Sequence, residues 1–404
     1  MIESLWEVFC CVREWHRKLN DANATILVWP WPGERTDRPD HPAQASTLVN
    51  AISPSLSLLP ALSALLRSMA LELHRPILLL STDEVPDPSA VKDVISFLIA
   101  GGVKLGDYSL ESHSLFSFEP RLDSVDETEV SIYPFAGHIL SLGGARGIVA
   151  EMLRRLTDSH SHLSVVGRTP LQKLNPELYG LSSQELMRWL MNRHRQRENK
   201  NVLTPRALQQ QADQLQRQAA LDHQLKSLSD LVQTFDYHTV DLLVPEGFER
   251  LLLMQSMQDV TVLISGAGVI QDQSCLTKQK QSFEAVLRTK VAPIVQLLCD
   301  GLPPNLQTWI SFSSIASKSG NPGQADYAAA NEFLNTAVHW FAHRHPEICM
   351  KTINWGPWKG SGMAGAEVLK AFHARGLEAI EPEAAAMMLR QLMQLTEWEC
   401  HVRS

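Results

Sequence analysis

Residues His138–Leu156 read HILSLGGARGIVAEMLRRL, and this stretch decides the fold class. An apolar run typical of a buried strand leads into the glycine-rich turn Gly143–Gly147, and a helical pattern follows. A strand, a glycine turn and a helix in this order let backbone N–H groups and a helix N-terminus approach a pyrophosphate. We therefore expect an α/β fold with a parallel sheet, although the glycines alone do not establish a nucleotide site.

The end of the next strand pattern bears on which nucleotide would bind. This pattern spans Leu163–Gly167, and Arg168 follows it. Enzymes that use NAD usually place a carboxylate near this position for the ribose 2′-hydroxyl, whereas an arginine suits a 2′-phosphate. Arg168, together with Arg146 in the glycine turn, therefore indicates NADPH. The alternative is that both arginines are solvated surface residues.

Further strand and helix patterns continue the alternation in this half of the chain. In an open parallel sheet, ligands bind at the carboxyl ends of the strands, so the residues that end each strand are candidates for a site. A helical pattern over residues 283–298 carries Lys290, which by itself would read as a solvated lysine. The additional strand patterns are Tyr237–Leu242, Val260–Gly268, which ends in a second glycine turn, and Cys349–Trp355.

A second stretch, Thr308–Asn331, reads TWISFSSIASKSGNPGQADYAAAN and carries candidate catalytic side chains. We expect Ser314 where a buried strand ends, and we expect Tyr327 and Asn331 on one face of a helix because they are four residues apart. A phenol beside a strand-end hydroxyl could protonate a carbonyl oxygen during reduction. The alternative is a helix that packs Tyr327 into a core with its hydroxyl satisfied.

Length and composition exclude several classes of protein. The 404 residues suggest two to three domains, and the net charge of -8 argues against a nucleic-acid surface. Residues 1–22 read as an amphipathic helix rather than a signal peptide, and no apolar run approaches membrane-spanning length. The scattered cysteines favour a reducing cytoplasm. The segment 158–162, DSHSH, lacks well-placed third and fourth ligands, so we expect no metal site.

The first third of the chain also alternates between strand and helix patterns. Apolar runs at Ala24–Trp29 and Pro76–Leu80 flank a helical region that ends near Leu73. This alternation implies another α/β sheet, but no glycine-rich phosphate loop follows either run. We therefore expect no nucleotide site in this part. The acidic segment 123–129, DSVDETE, is a candidate linker.

Taken together, these motifs resemble the ketoreductase domains of modular polyketide synthases and polyunsaturated fatty acid synthases, within the short-chain dehydrogenase/reductase superfamily. Tyr327 follows Ser314 by 13 residues and Lys290 by 37 residues, as in that family. Other members of the superfamily more often carry a lysine four residues after the tyrosine, where this chain has Asn331. The motifs that carry the resemblance are GGARGI at 143–148, VVGR ending at 168, FEAVLRTKV at 283–291, FSSIAS at 312–317, GNPGQADYAAAN at 320–331 and INWGPW at 353–358.

The resemblance implies hydride transfer from NADPH to the 3-keto group of an acyl thioester held on acyl carrier protein, with the other domains of a synthase module as partners. Tyr327 would donate the proton and Ser314 would bind the carbonyl oxygen. Lys290 would bind the ribose and lower the tyrosine pKa, and Asn331 would hold a relay water.

The resemblance also implies a wider set of site residues. Asp272 falls at the second aspartate of the motif that marks B-type ketoreductases, and Ser319 stands where A-type enzymes have a tryptophan, so a D-3-hydroxyacyl product is expected. Substrate orientation would further involve Gln324, Trp358 and Met363, although Trp355 and Trp358 could equally be core residues. The implied cofactor-binding residues are Gly143, Gly144, Ala145, Arg146, Gly147, Ile148, Gly167, Arg168, Asp241, Leu242, Gly266, Ala267, Gly268, Lys290, Tyr327, Pro357 and Trp358.

The implied architecture has two Rossmann-like subdomains. Residues 1–136 would form a truncated structural subdomain, and residues 137–404 the catalytic NADPH-binding one, with a mobile lid at about 356–378. A helical insertion is expected at about 171–234, and it could pack on the core or contact a carrier protein or neighbouring domain.

Two departures from the family pattern keep other functions open. Leu142 stands where the family usually has threonine, and Val149 stands where many members have the last glycine, so the cofactor turn is expected to be less regular. One alternative is a catalytically silent ketoreductase domain that scaffolds a synthase module. Another is a free-standing reductase of coenzyme A esters.

Overall fold

The computed structural model describes residues 2–18, 26–28, 59–74, 77–82, 107–111, 114–117, 135, 137–196, 204–360, 370, 373–374, 378–395 and 399–402. The expected linker at 123–129, Met363 and most of the expected lid lie outside these residues.

The described strands fall into two sheets of four and seven strands. In the larger sheet every neighbouring pair is parallel, as the strand patterns predict. The strands are β1 (Ile26–Val28), β2 (Ile77–Thr82), β3 (Asp107–Glu111), β4 (Ser114–Ser117), β5 (Gly137–Leu142), β6 (Ser161–Gly167), β7 (Thr234–Thr239), β8 (Val260–Ser265), β9 (Thr308–Ser314), β10 (Cys349–Trp355) and β11 (Glu399–Val402).

The strand order explains where a ligand would bind. The larger sheet runs β11–β10–β9–β8–β5–β6–β7, so the order reverses between β5 and β8. In doubly wound sheets this reversal opens a crevice at the carboxyl ends of the two strands. Both glycine turns, which follow β5 and β8, lie at this crevice. The smaller sheet runs β1–β2–β3–β4, with β4 antiparallel to β3.

The described helices connect and cover these strands. Strands β5, β8 and β9 are almost completely buried, as expected for parallel strands with helices on both faces. The helices are α1 (Ile2–Lys18), α2 (Leu59–Leu73), α3 (Gly147–Leu156), α4 (Ser183–Gln196), α5 (Pro205–Ser229), α6 (Pro245–Leu252), α7 (Lys280–Asp300), α8 (Ala316–Ser319), α9 (Ala325–Arg344) and α10 (Pro382–Leu392).

The expected insertion is helical, because α4 and α5 occupy most of it. A small apolar cluster holds the two helices together through Leu186 and Ala212, with Leu178 of the preceding short 3₁₀ turn. Thr204 caps α5 through its side chain, which accepts from the Ala207 N–H group, and Pro205 occupies the first helical position.

Two apolar clusters fill the space on either side of the larger sheet. Alternate residues of β5 join different clusters: Leu140 belongs to the first and Ile139 to the second, because successive side chains point to opposite faces. The first cluster packs α1 and α2 directly against α7 and α9. In it, the Phe9 and Phe283 ring centroids are 5.2 Å apart. The second cluster packs α3 and α10 on the other face.

The boundary at 136/137 stays a prediction, although the two sheets lie on either side of it. Within the described part of the chain, no helix combines the length and apolar character that crossing a bilayer requires.

Candidate active site

The backbone of the turn after β5 favours glycine at three positions. Gly143, Gly144 and Gly147 have φ angles of 88°, 96° and 68°, which favour glycine. The Gly143 N–H donates to the Val166 carbonyl over 3.0 Å. A Cβ atom at Gly143 would lie 3.0 Å from the Ala267 backbone, so the turns after β5 and β8 are in contact. The N-terminus of α3 thus opens onto the crevice between the two strands.

Both departures from the family pattern are accommodated in the interior. Leu142 and Val149 are buried side chains. A Cβ atom on Gly266 would lie 2.3 Å from a Val149 methyl carbon, so the valine occupies space that the glycine leaves free. A strand, a turn and a helix follow one another here, and the expectation of a less regular cofactor turn stays a prediction.

The two arginines expected to bind a 2′-phosphate are both exposed near the carboxyl ends of β5 and β6. Arg146 donates to the Arg217 carbonyl of α5 over 3.1 Å. The segment after Arg168 is held by two side chains. Tyr237 donates its hydroxyl to the Thr169 carbonyl over 2.8 Å, and Gln218 of α5 donates to the Pro170 carbonyl over 2.7 Å. The insertion therefore contacts the segment that carries Arg168.

Asp241 and Leu242 follow β7 on the same side. The Asp241 carboxylate accepts from the Leu243 N–H group over 3.0 Å, which orders the turn. Asp241 is exposed and Leu242 is half-buried. Gly167, at the end of β6, lies against the Tyr237 ring, whose oxygen would be 2.5 Å from a Cβ atom at that position.

Lys290 is buried rather than solvated. It lies on α7, and its Nζ donates to the Phe312 carbonyl of β9 over 2.8 Å. A Cβ atom on Gly268 would lie 3.7 Å from this Nζ, which places the lysine directly beneath the second glycine turn. Burial lowers the pKa of Lys290 from 10.5 to about 8. Its cation therefore borders the crevice at neutral pH.

Ser314, Tyr327 and Asn331 come together as their spacing predicts. Ser314 is the last residue of β9, and Tyr327 lies in the first turn of α9. The side chains of Asn331 and Ser314 both lie close enough to the phenol to lower its pKa. Burial is the larger influence and leaves the pKa of Tyr327 raised above 10.

This direction differs from the expectation that Lys290 lowers the tyrosine pKa. Lys290 is not among the described groups that act on the phenol. Its Nζ is engaged with the Phe312 carbonyl instead, and removal of the phenol from water dominates. At neutral pH the phenol consequently keeps its proton.

Only the nitrogen of the Asn331 side-chain amide forms a hydrogen bond with the described residues. Its Nδ2 donates to the Tyr327 carbonyl one turn earlier over 2.8 Å. Its Oδ1 is buried and accepts no hydrogen bond from the described residues. A buried acceptor of this kind normally binds an ordered water or a ligand, which fits the relay water that the resemblance implies.

Asp272 and Gln324 form a hydrogen-bonded pair near the tyrosine. Gln324 donates its Nε2 to both carboxylate oxygens of Asp272, over 2.9 and 3.0 Å. Gln324 precedes Tyr327 by three residues, so the pair borders the phenol. Asp272 also contributes to raising the tyrosine pKa.

Trp358 lies in the interior, although it was expected to line the cofactor and substrate path. It is 2% exposed and packs on Trp355, with ring centroids 5.2 Å apart, in the second apolar cluster. Its neighbour Pro357 is partly exposed. A large apolar ring next to Ile380 is more stable buried, which explains the difference.

The sequence motifs did not predict a buried ion pair that lies beside the tyrosine. Lys278 and Asp326 are both almost fully buried, and Nζ lies 2.6 Å from the Asp326 carboxylate. The same Nζ donates to the Gln271 carbonyl over 2.6 Å. Burial raises the pKa of Asp326 to about 6 against the opposing effect of Lys278. The only signal available was an acidic residue directly before the tyrosine.

Comparison with known proteins agrees with this geometry. The KR domain family matches residues 137–360, more than half of the chain. A 6-methylsalicylic acid synthase from Arthrobotrys oligospora is 30% identical over 166 residues, which is 40% of this chain and 9% of that protein. A polyunsaturated fatty acid synthase from Thraustochytrium is 36% identical over 127 residues, 31% of this chain and 4% of the relative. The chain thus corresponds to a small part of each relative.

Solved structures of ketoreductase domains share this fold. A ketoreductase domain from the bacillaene assembly line has a TM-score of 0.67 and 17% identity, and the match covers 100% of this chain and 82% of the other. The first-module ketoreductase of phoslactomycin biosynthesis in Streptomyces has a TM-score of 0.64 and 17% identity, and the match covers 98% of this chain and 79% of that one. Together, the family match, the doubly wound sheet and the serine, tyrosine and asparagine at its edge show that this chain belongs to the KR family, the ketoreductase domains of polyketide synthases within the short-chain dehydrogenase/reductase superfamily.

Proposed function

We propose that this chain reduces the 3-keto group of an acyl thioester on acyl carrier protein to the D-3-hydroxyacyl thioester, with NADPH as reductant, as the cytoplasmic ketoreductase part of a polyketide or fatty acid synthase. One observation carries the proposal. A protonated phenol, Tyr327, lies close to the side chains of Ser314 and Asn331, beside a crevice that two glycine turns and Lys290 border.

The residues at the crevice fit a phosphorylated nicotinamide dinucleotide. The positive-φ glycines and the α3 N-terminus suit a pyrophosphate, and Arg146 and Arg168 supply cations for a 2′-phosphate. Lys290 is close enough to the second glycine turn to bind ribose hydroxyls. When bound, the nicotinamide supplies the hydride.

The protein's own groups handle the proton and the carbonyl oxygen. Ser314 orients the keto oxygen by hydrogen bonding, and the raised pKa of Tyr327 keeps the phenol protonated until the oxygen gains negative charge. The proton then passes from the Tyr327 oxygen to the substrate oxygen. Asn331 Oδ1 holds a water through which the phenolate regains a proton.

The substrate assignment draws on two further observations. Asp272 is held beside the phenol by Gln324, which supports the B-type product. The sequence relatives are synthases of which this chain spans only a small part, which supports a carrier-bound substrate and neighbouring synthase domains as partners.

The test is NADPH oxidation with a 3-ketoacyl N-acetylcysteamine thioester, with chiral analysis of the product. Tyr327→Phe should keep NADPH binding but reduce turnover by a factor on the order of a hundred or more, because it removes the proton donor. Tyr179→Phe is the matched control, because Tyr179 lies in the insertion and bonds Asp222. Near-normal turnover of Tyr327→Phe would contradict the proton-donor role.

Two further outcomes separate this function from others. Failure to bind NADPH would favour a silent scaffolding domain. A coenzyme A ester reduced more efficiently than the same acyl group on carrier protein would favour a free-standing reductase.

A further inference from the structure

Two loops meet beside Tyr327, and they contact each other directly. We name them the aspartate loop, residues 266–279, and the tyrosine loop, residues 320–324. The Gln273 N–H donates to the Gly323 carbonyl over 3.1 Å, and Gln324 binds the Asp272 carboxylate. The aspartate loop begins at the second glycine turn and the tyrosine loop leads into α9. Their relative position therefore sets how Asp272 lies against Tyr327.

A carboxylate from the first third of the chain joins both loops. Glu72, in the last turn of α2, accepts the Cys275 N–H of the aspartate loop at Oε1 over 2.8 Å. Its other oxygen, Oε2, accepts the Gly323 N–H of the tyrosine loop over 3.0 Å. Each oxygen binds a different loop, so the carboxylate fixes the distance between them.

Neighbouring residues of α2 hold the tyrosine loop at two more points. The Ser68 hydroxyl accepts the Asn321 N–H over 3.1 Å, and Arg67 donates to the Ser317 carbonyl over 3.0 Å. Gly320, with φ 67°, approaches so closely that its Cβ atom would lie 2.9 Å from the Arg67 carbonyl carbon. The Ser68 contact and the close approach at Gly320 hold the tyrosine loop, and the Arg67 contact holds α8 just before it, whereas Glu72 acts on both loops.

We propose that Glu72 is a positioning residue that locks the aspartate and tyrosine loops together and thereby orients the substrate for one product configuration. The proposal rests on the reductase function. It assigns the N-terminal part a direct role in stereochemical control. Glu72 binds Cys275, which is three residues from Asp272, and it binds Gly323, which is four residues from Tyr327. Hydrogen bonds to a charged acceptor are about twice as strong as neutral ones, which suits this task.

The experiment compares Glu72→Ala and Glu72→Gln in the full chain with Glu3→Ala. Glu3 is a matched control, because it is also a carboxylate of the N-terminal part that contacts the catalytic part. It is exposed and binds Lys280 at 2.6 Å, and Lys280 is the first residue of α7, just after the aspartate loop. Glu72→Gln keeps the shape and one acceptor oxygen, so it should release one loop and fold normally.

For Glu72→Ala we expect kcat/KM to fall about tenfold and the minor product isomer to increase, with the NADPH dissociation constant within about twofold of wild type. Glu72→Gln should be intermediate and Glu3→Ala unchanged. A lower Tm with unchanged kcat/KM and isomer ratio would show a purely structural role. A parallel loss of NADPH binding would show general disruption. Either result would overturn the proposal.

A second readout does not depend on activity. Amide hydrogen exchange should accelerate in Glu72→Ala at 272–278 and 320–324 but not in the glycine turn at 143–147. Unchanged exchange in either loop would overturn the proposal. If wild-type protein reduces no thioester, the reductase function fails by itself, and the exchange experiment still decides whether Glu72 joins the loops.

Discussion

Burial of Lys290 makes the free energy of unfolding depend on pH. The unfolded chain holds the lysine proton up to pH about 10.4, whereas the folded chain releases it near pH 8. Between these values the unfolded state binds more protons, so the free energy of unfolding rises with pH. The stability that the neutral lysine contributes at high pH is lost as the pH falls through about 8.

Lys290→Met should abolish this part of the pH dependence. From pH 8 to 10.5, wild type should gain about 3 kcal/mol of unfolding free energy relative to the variant. Urea unfolding of both proteins at several pH values measures the difference between their unfolding free energies. The contributions of the other titrating groups are common to both proteins and cancel in this difference. Parallel curves for the two proteins would contradict the lowered pKa.

Val149 and Gly266 are complementary, and a double-mutant cycle tests this. Gly266→Ala alone should destabilise the protein by about 1–3 kcal/mol, because the new Cβ atom overlaps Val149. Combined with Val149→Ala, the same change should cost less than the two single changes together. Gly247→Ala, in α6, is the matched control. The new Cβ atom would lie 3.4 Å from a methyl carbon of Val240, an ordinary contact distance, so this substitution should be neutral or stabilising. Additive costs at 149 and 266 would contradict the complementarity.

Local spacing in the sequence predicted the catalytic side chains but not the residues that hold them in place. Tyr327, Asn331 and Ser314 lie within 18 positions of one another, so strand and helix periodicity sufficed to bring them together. Glu72 lies 203 positions from Cys275, and no periodic pattern joins contacts at such separation. For Trp358 the sequence left a cleft and a core equally open, because a tryptophan after a strand end suits both, and the side chain is buried.

Among the elements, α5 has a role that helical periodicity could not reveal. The sequence predicted the α4–α5 pair within the insertion, and the structure confirms it. Which face of α5 contacts the rest of the protein depends on single polar residues such as Gln218, which is buried and holds the Pro170 carbonyl.

Gln218→Ala should therefore weaken NADPH selectivity. Release of Pro170 should let the Arg168 segment move, so we expect the NADPH dissociation constant to rise about three- to tenfold and that for NADH to change little. Titration of nucleotide fluorescence measures both constants. Gln209→Ala is the control on the same helix, because Gln209 bonds Ser183 and Asp213 within the insertion. Equal weakening for both nucleotides would contradict a role near the 2′-phosphate.

For the whole molecule, the first apolar cluster makes the two parts of the chain interdependent. Phe9, Leu65 and Met69 of α1 and α2 are buried against Phe283 and Phe333 of α7 and α9. A fragment of residues 137–404 would expose this apolar face to water. We expect it to be insoluble or to lack a cooperative thermal transition, which expression trials and calorimetry beside the full chain would show. A soluble fragment with a Tm near that of the full chain would contradict this.

The shared cluster also limits how such chains can be recombined. A chimera joined at residue 137, where the family match begins, would set foreign α7 and α9 surfaces against native α1 and α2. Close-packed interiors tolerate such mismatches poorly, and Glu72 would face loops of another sequence. The transferable unit is therefore larger than the catalytic sheet, and a graft that carries both parts should preserve stability and product configuration together.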